Sequence, residues 1–204
     1  MSSFFPMLFR MQYIQRWGLM HNLCPESLSE HSLNTAILAH ALAVIGKERL
    51  GREVRPEEVA LFAIFHDCTE IITGDLPTPV KYHNQRINTA YKEIEKAAAR
   101  TLSGMLPQDL AATYEPLLLE ETDPHTHALV KAADKLSAYI KCLEEEKAGN
   151  TEFSAARKTI LAALEENPLP ELGIFMEEFL PAFSRTLDEL TIGQVGEEGA
   201  PHDR

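Results

Sequence analysis

The sequence predicts an all-α protein folded as a single helical bundle. Apolar residues recur with helical spacing through most of its 204 residues, and capping residues, proline and glycine separate the periodic stretches. No segment shows the alternating apolar and polar pattern that indicates a half-buried strand. We therefore expect one domain over residues 1–190, followed by a polar, glycine-rich and disordered tail over residues 191–204.

The first predicted elements are defined by the signals at their ends. Residues 3–15 indicate a short apolar helix or paired turns, broken near Pro6. The segment Ser27-Leu-Ser-Glu30 is a capping box, and the helix that follows should extend from Ser29 to Lys47 and end before Gly51. One face of this helix carries a line of apolar residues, namely Leu33, Ile37, Ala41, and Val44 or Ile45.

The next helix is predicted to begin at Pro56 and to run without interruption to about Thr73, where Gly74 stops it. Residues 74–82 contain two prolines close together and predict a rigid loop that is neither helix nor central strand. The later helices are expected at about residues 83–106, 107–114, 125–148, 152–165 and 172–190.

Composition narrows the choice of partners and compartment. A net charge of −12 argues against a nucleic-acid partner, because binding a phosphate backbone requires a basic face. A small anionic substrate remains compatible, since one arginine and a metal can reverse the potential inside a pocket. The three cysteines lack the Cys-x-x-Cys spacing, and no apolar run reaches the ~18 residues that span a membrane. We therefore predict a cytoplasmic protein with no membrane partner.

The doublet His66-Asp67 directly follows an apolar run, where burying titratable groups without partners costs several kcal/mol. His31 and Asp134 also lie in helical stretches. Taken alone, His31 fits a capping or surface histidine better than a ligand, and Asp134 fits a solvated helix residue. Together they supply two imidazoles and two carboxylates from three helices, which is how helical bundles build metal sites. A divalent cation would neutralise the two aspartates and keep coordination positions open for water and substrate. The mixed nitrogen and oxygen set suits Mn, Fe, Co, Ni or Zn better than Ca or Mg.

The pattern formed by His31, His66-Asp67 and Asp134 resembles that of the HD-domain metal-dependent phosphohydrolases. The surrounding segments Arg16-Trp17 and Thr73-Gly-Asp-Leu-Pro-Thr-Pro-Val-Lys-Tyr82 are similar to the bacterial 5′-deoxynucleotidase (YfbR-like) branch of that family. This resemblance implies a homodimeric, all-helical HD-domain enzyme that hydrolyses deoxyribonucleoside 5′-monophosphates. It implies a divalent metal, Co²⁺ or Mn²⁺ first, with Zn²⁺, Ni²⁺, Fe²⁺ or Mg²⁺ as alternatives.

Three residues receive individual roles in this interpretation. Glu70 follows His66 by one helical turn, so it can orient the attacking water or take its proton, although it also fits an ordinary helix-end acid. Arg16 matches the geometry of a phosphate. Trp17 can lie against the sugar and exclude a 2′-hydroxyl, or can simply be a core residue.

The proline-containing loop is expected to shape the nucleoside site through Asp75, Leu76, Pro77 and Thr78. Asp75 either protonates the leaving 5′-oxygen or accepts a hydrogen bond from the sugar 3′-hydroxyl. Lys81 either adds positive charge near the phosphate or lies on the surface, and Asp67 is expected to contact the substrate as well as the metal. Two other functions fit the same residues: an HD-type phosphohydrolase acting on a nucleoside polyphosphate or cyclic nucleotide, and a non-catalytic nucleotide- or metal-binding regulator.

Overall fold

A computed structural model describes residues 1–81 and 83–190, apart from the side chain of Thr78. Its described part contains helices and one isolated antiparallel bridge but no strand, which confirms the all-α class. The helices are α1 (Phe4–Leu8), α2 (Leu28–Leu50), α3 (Pro56–Phe65), α4 (Glu70–Thr73), α5 (Thr78–Lys81), α6 (Gln85–Ser103), α7 (Gln108–Leu118), α8 (Pro124–Lys147), α9 (Ser154–Glu165) and α10 (Pro170–Glu178). The predicted disordered tail lies outside the described residues, and no described helix is long and apolar enough to cross a bilayer.

Helix α2 lies at the centre of the bundle, where it contacts α3, α8 and α10. Its predicted capping box is present: the Ser27 hydroxyl accepts from the Glu30 backbone N–H at 3.3 Å, and the Glu30 carboxylate accepts from the Ser27 N–H at 2.7 Å. Gly51 ends the helix in the left-handed conformation, with φ +64°. Both end signals are therefore confirmed, although the helix begins at Leu28 and extends to Leu50, three residues beyond the predicted Lys47.

The buried face of α2 differs from the apolar line that the sequence predicts. Leu33 and Ile37 are each 59% exposed, so this part of the predicted line is wrong, whereas Ala41 packs against the core and Ile45 belongs to it. The buried face carries four large apolar residues, namely Leu28, Leu38, Leu42 and Ile45. Its other residues are small or polar, namely His31, Ser32, Thr35, Ala36, Ala39, Ala43 and Gly46. Small side chains let α3 and α8 approach the helix closely, and this close packing overrides the simple apolar spacing.

The predicted continuous helix from Pro56 to Thr73 is wrong in its middle. Helix α3 ends at Phe65, and residues 66–69 form tight turns before α4 begins. Their backbone bonds reach back three residues, as in Cys68 N–H to Phe65 O at 3.1 Å and Glu70 N–H to Asp67 O at 3.0 Å. The tightening redirects the chain, so α4 packs against α6 instead of extending α3.

Three further differences from the predicted elements occur at prolines. Pro6 lies within the first turn of α1, where its missing N–H costs nothing, so the predicted break near it is absent. Pro79 occupies the same kind of position in α5. This helix is a single turn, and it lies within residues 74–82, which were predicted to form a non-helical loop. Helix α7 passes Pro116 and ends at Leu118, later than the predicted end near Tyr114.

The last predicted helix, residues 172–190, is shorter than expected. Helix α10 ends at Glu178, and the chain continues in 3₁₀ turns over Leu180–Ser184 and Leu187–Glu189. Pro181 cannot donate the next helical hydrogen bond, which explains the change. Leu172 and Phe175 are buried in the main core.

The core consists of two clusters that meet at the His66-Asp67 turn. Ala63 in α3 and Ala133 in α8 belong to the larger cluster, which also includes residues of α2, α9 and α10. Cys68 belongs to the smaller cluster beneath α1, α6 and α7. The polar doublet therefore lies at the boundary between the two clusters.

A buried ionic network fixes the segment before α2 to helix α8. Glu145 is fully buried and accepts hydrogen bonds from the backbone N–H groups of Leu23 and Cys24, each at 3.0 Å. It also accepts from Asn150 Nδ2 at 2.7 Å and pairs with Lys141, whose ammonium group donates to the carbonyl oxygen of Cys24. These bonds hold the pKa of Glu145 down at about 2 even though burial alone would raise it.

We expect Glu145→Ala to lower the free energy of unfolding by about 3–5 kcal/mol, because it leaves the Lys141 charge buried and unpaired. Since the folded pKa of about 2 lies below the ordinary 4.5, this contribution is present above pH 4.5 and is lost as pH falls toward 2. Denaturant unfolding of both proteins across that range measures the difference. Glu146→Ala is the matched control: Glu146 is exposed and pairs with the half-buried Arg157, so its loss should cost less than about 1 kcal/mol. Equal losses would contradict the assignment.

Candidate metal and substrate site

Four predicted ligand residues converge at the boundary between the two core clusters. His31 comes from α2, His66 and Asp67 from the turn after α3, and Asp134 from α8. One donor atom from each lies within 4.8 Å of all the others. His31 Nε2 is 3.1 Å from Asp134 Oδ1 and 3.6 Å from Asp67 Oδ2, while His66 Nε2 is 3.1 Å from Asp67 Oδ2. This spacing suits atoms that surround one cation.

The two imidazoles are oriented by contacts on their far sides. His66 Nδ1 lies 2.7 Å from the carbonyl oxygen of Ala63, so it carries the proton and leaves a lone pair on Nε2. That Nε2 atom is buried and has no hydrogen-bond partner among the described residues. His31 Nδ1 lies 3.3 Å from the hydroxyl of Ser137. A buried nitrogen without a partner, beside two carboxylates, fits a divalent metal.

The charges of the cluster are strongly coupled. Burial alone lowers the pKa of His66, but Asp67 and Asp134 outweigh it and raise that pKa to about 10. Burial alone raises the pKa of Asp67, but the neighbouring His66 outweighs it and holds that pKa well below its usual range. The carboxylates therefore favour a positive charge between them, and a bound cation can take the place of the imidazole proton.

The predicted phosphate and sugar residues stand beside this cluster. Arg16 Nη1 donates to Asp67 Oδ2 at 3.4 Å, and Arg16 Nε lies 3.3 Å from Glu26 Oε2. Trp17 is half-buried, and its ring meets the ring of Phe153 edge-on at 5.3 Å between centroids. The structure thus places Arg16 next to the candidate ligand Asp67, and Trp17 next to Arg16.

Glu70 is 3% exposed and begins α4 immediately after the tight turn. Burial, followed by the charges of Asp67 and Asp75, raises its pKa to about 8, against the lowering effect of Lys81 and Arg16. Its Oε2 atom is buried and has no hydrogen-bond partner among the described residues. A carboxylate with a raised pKa and a free oxygen is suited to accept a proton near neutral pH.

Lys81 is not a surface residue. Its ammonium group lies 3.5 Å from Glu70 Oε1, 3.3 Å from Glu95 Oε1 and 4.7 Å above the ring centre of Tyr91. Burial lowers the pKa of Lys81, but Glu70 and its other partners outweigh burial and raise it. The lysine therefore contacts the predicted proton-transfer carboxylate directly.

The residues of the predicted proline-containing loop lie beside the same site, but they form fewer contacts with it than Lys81 does. Asp75 is half-buried, and its charge acts on both Glu70 and Arg16. Leu76 and Pro77 are half-buried next to it. The predicted role of Thr78 involves a side chain outside the described part of the structure.

Sequence reasoning missed two residues of this site. Ser137 follows Asp134 by about one helical turn on α8, so its contact with His31 was accessible from helical spacing. Glu26 precedes the capping box in a segment without periodicity, and only the backbone pairing of residues 14–16 with residues 26–28 brings it to Arg16. No local sequence signal indicates that pairing.

Comparison with known proteins identifies relatives that match nearly the whole chain. The profile of the 5′-deoxynucleotidase YfbR-like family matches residues 3–183. A 5′-deoxynucleotidase of Vibrio cholerae serotype O1 is 48% identical over 191 residues, which cover 93% of this chain and 98% of the relative. A 5′-deoxynucleotidase of Shewanella oneidensis shows the same identity and coverage.

Solved structures share the fold at lower identity. An HD-domain phosphohydrolase from Listeria innocua superposes with a TM-score of 0.78 at 23% identity, covering 94% of this chain and 92% of that one. The HD phosphohydrolase DatZ of cyanophage S-2L, solved with dA and one catalytic Zn²⁺, gives a TM-score of 0.62 at 20% identity, covering 89% of this chain and 96% of that one. At these identities the likeness shows a common fold.

Proposed function

Because the chain belongs to the 5′-deoxynucleotidase YfbR-like family, we propose that it hydrolyses deoxyribonucleoside 5′-monophosphates to deoxyribonucleosides and phosphate in a metal-dependent reaction. The observation that carries this proposal is the convergence of four donor atoms within 4.8 Å, with the guanidinium of Arg16 beside them. A metal and an arginine in one place are what a slow phosphomonoester cleavage requires.

His31, His66, Asp67 and Asp134 would hold the cation, which we propose to be Co²⁺ or Mn²⁺, with Zn²⁺, Ni²⁺, Fe²⁺ and Mg²⁺ as alternatives. When bound, the cation would supply positive charge that polarises the phosphate and lowers the pKa of the attacking water, so that the water gives up a proton more easily. Asp67 contacts both this cluster and Arg16, so it links the metal site to the proposed phosphate site.

The chain's own groups then bind the substrate and move its protons. Arg16 would bind the phosphate through paired N–H donors and offset its charge. Glu70, with one free oxygen and a pKa of about 8, would accept the proton of the attacking water. Lys81 keeps the Glu70 carboxylate oriented. Asp75 would protonate the leaving 5′-oxygen or accept a hydrogen bond from the sugar 3′-hydroxyl. Leu76, Pro77 and Thr78 would line the nucleoside site.

Trp17 is the proposed sugar-reading residue. Its backbone has φ +58°, a left-handed conformation that costs a bulky side chain about 1–3 kcal/mol. Such conformations persist where surrounding contacts enforce them, and they concentrate at ligand sites. A rigidly held indole beside Arg16 can exclude a 2′-hydroxyl by its position.

The oligomeric state and the cellular compartment are the last two parts of the proposal. We propose a homodimer, in which the exposed apolar residues Leu33 and Ile37 of α2 would be covered by the second copy. Sedimentation of the purified protein measures that state directly. The three cysteines are free in the structure, which supports a reducing, cytoplasmic environment.

Phosphate release from a nucleotide panel tests the proposed function. With Co²⁺ or Mn²⁺ we expect dAMP to be hydrolysed fastest, with kcat/KM for AMP lower by about 10²-fold, the usual limit when shape alone rejects a hydroxyl. Chelated protein should release no phosphate. Fastest release from dATP or a cyclic nucleotide would identify the other HD-type activity, and no release from any nucleotide would indicate a regulator. Equal rates with dAMP and AMP would contradict the role of Trp17.

A further inference from the structure

Glu26 contacts both residues of the Arg16-Trp17 pair through a single oxygen atom. Its Oε2 accepts a hydrogen bond from Trp17 Nε1 at 3.3 Å and lies 3.3 Å from Arg16 Nε. The Arg16 Nε atom is buried and forms no hydrogen bond of good geometry among the described residues, so its contact with Glu26 is an ion pair. Glu26 itself is 8% exposed.

The backbone holds Glu26 in this position independently of its side chain. The Arg16 N–H donates to the carbonyl oxygen of Glu26 at 2.9 Å, and Gln15 pairs with Ser27 in an isolated antiparallel bridge. The capping box of α2 begins at the next residue. The carboxylate is therefore attached to a rigid support and faces two side chains that lie on a loop.

Trp17 needs such a support. Its left-handed backbone is strained, and its ring touches Phe153 only edge-on. The indole N–H bond to Glu26 is a directional contact that fixes the rotation of the ring. The same carboxylate pairs with Arg16, which in turn contacts Asp67, one of the four candidate metal ligands.

We propose that Glu26 is the positioning residue that sets the indole of Trp17 and the guanidinium of Arg16 in one fixed arrangement, and thereby determines selection of deoxyribose over ribose. This inference rests on the proposed nucleotidase function. Glu26 does not touch the substrate in this scheme. It acts by holding the residue that reads the sugar and the residue that binds the phosphate at a constant separation.

The test is Glu26→Gln, with Glu144→Gln as the matched control. Glu144 lies near enough for the charge of Glu26 to act on it, and in the described structure its carboxylate contacts neither Arg16 nor Trp17. We expect Glu26→Gln to lower kcat/KM for dAMP about tenfold and the dAMP-to-AMP selectivity by a similar factor, as for a lost hydrogen bond to a charged group. Glu144→Gln should change each value less than twofold.

Fluorescence gives a readout that does not depend on turnover. Trp17 is the only tryptophan of the chain, so emission of the metal-free protein reports its surroundings alone. Glu26→Gln should shift that emission and Glu144→Gln should not. An unchanged emission maximum together with unchanged selectivity in Glu26→Gln overturns the proposal. If the wild-type protein hydrolyses no nucleotide, the proposed function fails, while the emission shift still decides whether Glu26 positions Trp17.

Trp17→Phe provides a second variant in case Glu26→Gln does not fold. It keeps an aromatic ring against Phe153 and removes the N–H that binds Glu26 together with the five-membered ring that carries it. We expect its selectivity to fall about tenfold. Where Glu26→Gln folds, the double variant should be no less selective than the less selective single variant, because both substitutions remove the same interaction. Full selectivity in Trp17→Phe would overturn the proposal.

Discussion

Asp134→Asn is expected to remove the metal and to lower kcat/KM for dAMP by about 10³-fold or more, because the cation supplies several kcal/mol of transition-state stabilisation. Asp134 Oδ1 lies 3.1 Å from His31 Nε2 and 3.9 Å from His66 Nε2, so it faces both imidazoles. Asparagine keeps the shape but halves the negative charge that attracts the cation. Metal content of the purified protein and initial rates of phosphate release measure the two effects.

Folding is not expected to suffer in this variant. The Asp134 side chain is 33% exposed, and without a metal its charge is balanced by the two histidines and by the more distant Arg16 and Lys131. Asp109→Asn, at an exposed position in the first turn of α7, is the control and should retain metal and turnover. A variant Asp134→Asn that keeps one metal per chain and full activity would show that the cation is bound elsewhere.

The candidate ligands were predictable because each stands out against a helical background. Titratable side chains at the end of an apolar run, as in His66-Asp67, require partners, and helix-borne residues can be placed by spacing alone. The capping box at Ser27 was predictable for the same reason, since its bonds lie within one turn. Local chemistry of this kind does not depend on the rest of the fold.

Features that depend on distant parts of the chain were not predictable. Burial of the small-residue face of α2 follows from how closely α3 and α8 approach it, so the larger residues Leu33 and Ile37 remain outside. The contact of Glu26 with Arg16 arises from a backbone pairing between two irregular segments. Neither arrangement leaves a periodic signal in the sequence.

Tight turns at the site were also missed, and the reason is energetic. Residues 66–69 have ordinary helical propensity, so continuation of α3 to Thr73 was the simplest interpretation. Tertiary packing overrides that propensity, because the turn lets Cys68 enter the smaller core cluster while Ala63 remains in the larger one. Departure from a regular helix at this point is what brings Glu70 next to Lys81.

Glu70→Gln is expected to have opposite effects on catalysis and stability. As the proposed proton acceptor, Glu70 should contribute about 10²–10⁴-fold to kcat, which glutamine cannot supply. Its folded pKa of about 8 lies above the ordinary 4.5, so the unfolded chain releases this proton first as pH rises. The metal-free wild-type protein therefore loses stability between pH 4.5 and about 8, and the variant should not. Unfolding of both metal-free proteins at pH 5 and pH 8 measures this.

Glu95→Gln tests whether the loss of turnover in Glu70→Gln comes from the lost proton acceptor or only from the loss of a partner of Lys81. Both Glu70 and Glu95 contact the Lys81 ammonium group, at 3.5 and 3.3 Å, so either substitution removes one of its partners. Glu70 has a pKa raised to about 8 and a buried oxygen without a partner among the described residues, whereas the Glu95 side chain is 32% exposed. We expect Glu95→Gln to change kcat little and to give no gain in stability at pH 8. If Glu95→Gln reproduced the loss of turnover, Lys81 and not Glu70 would be the group on which catalysis depends.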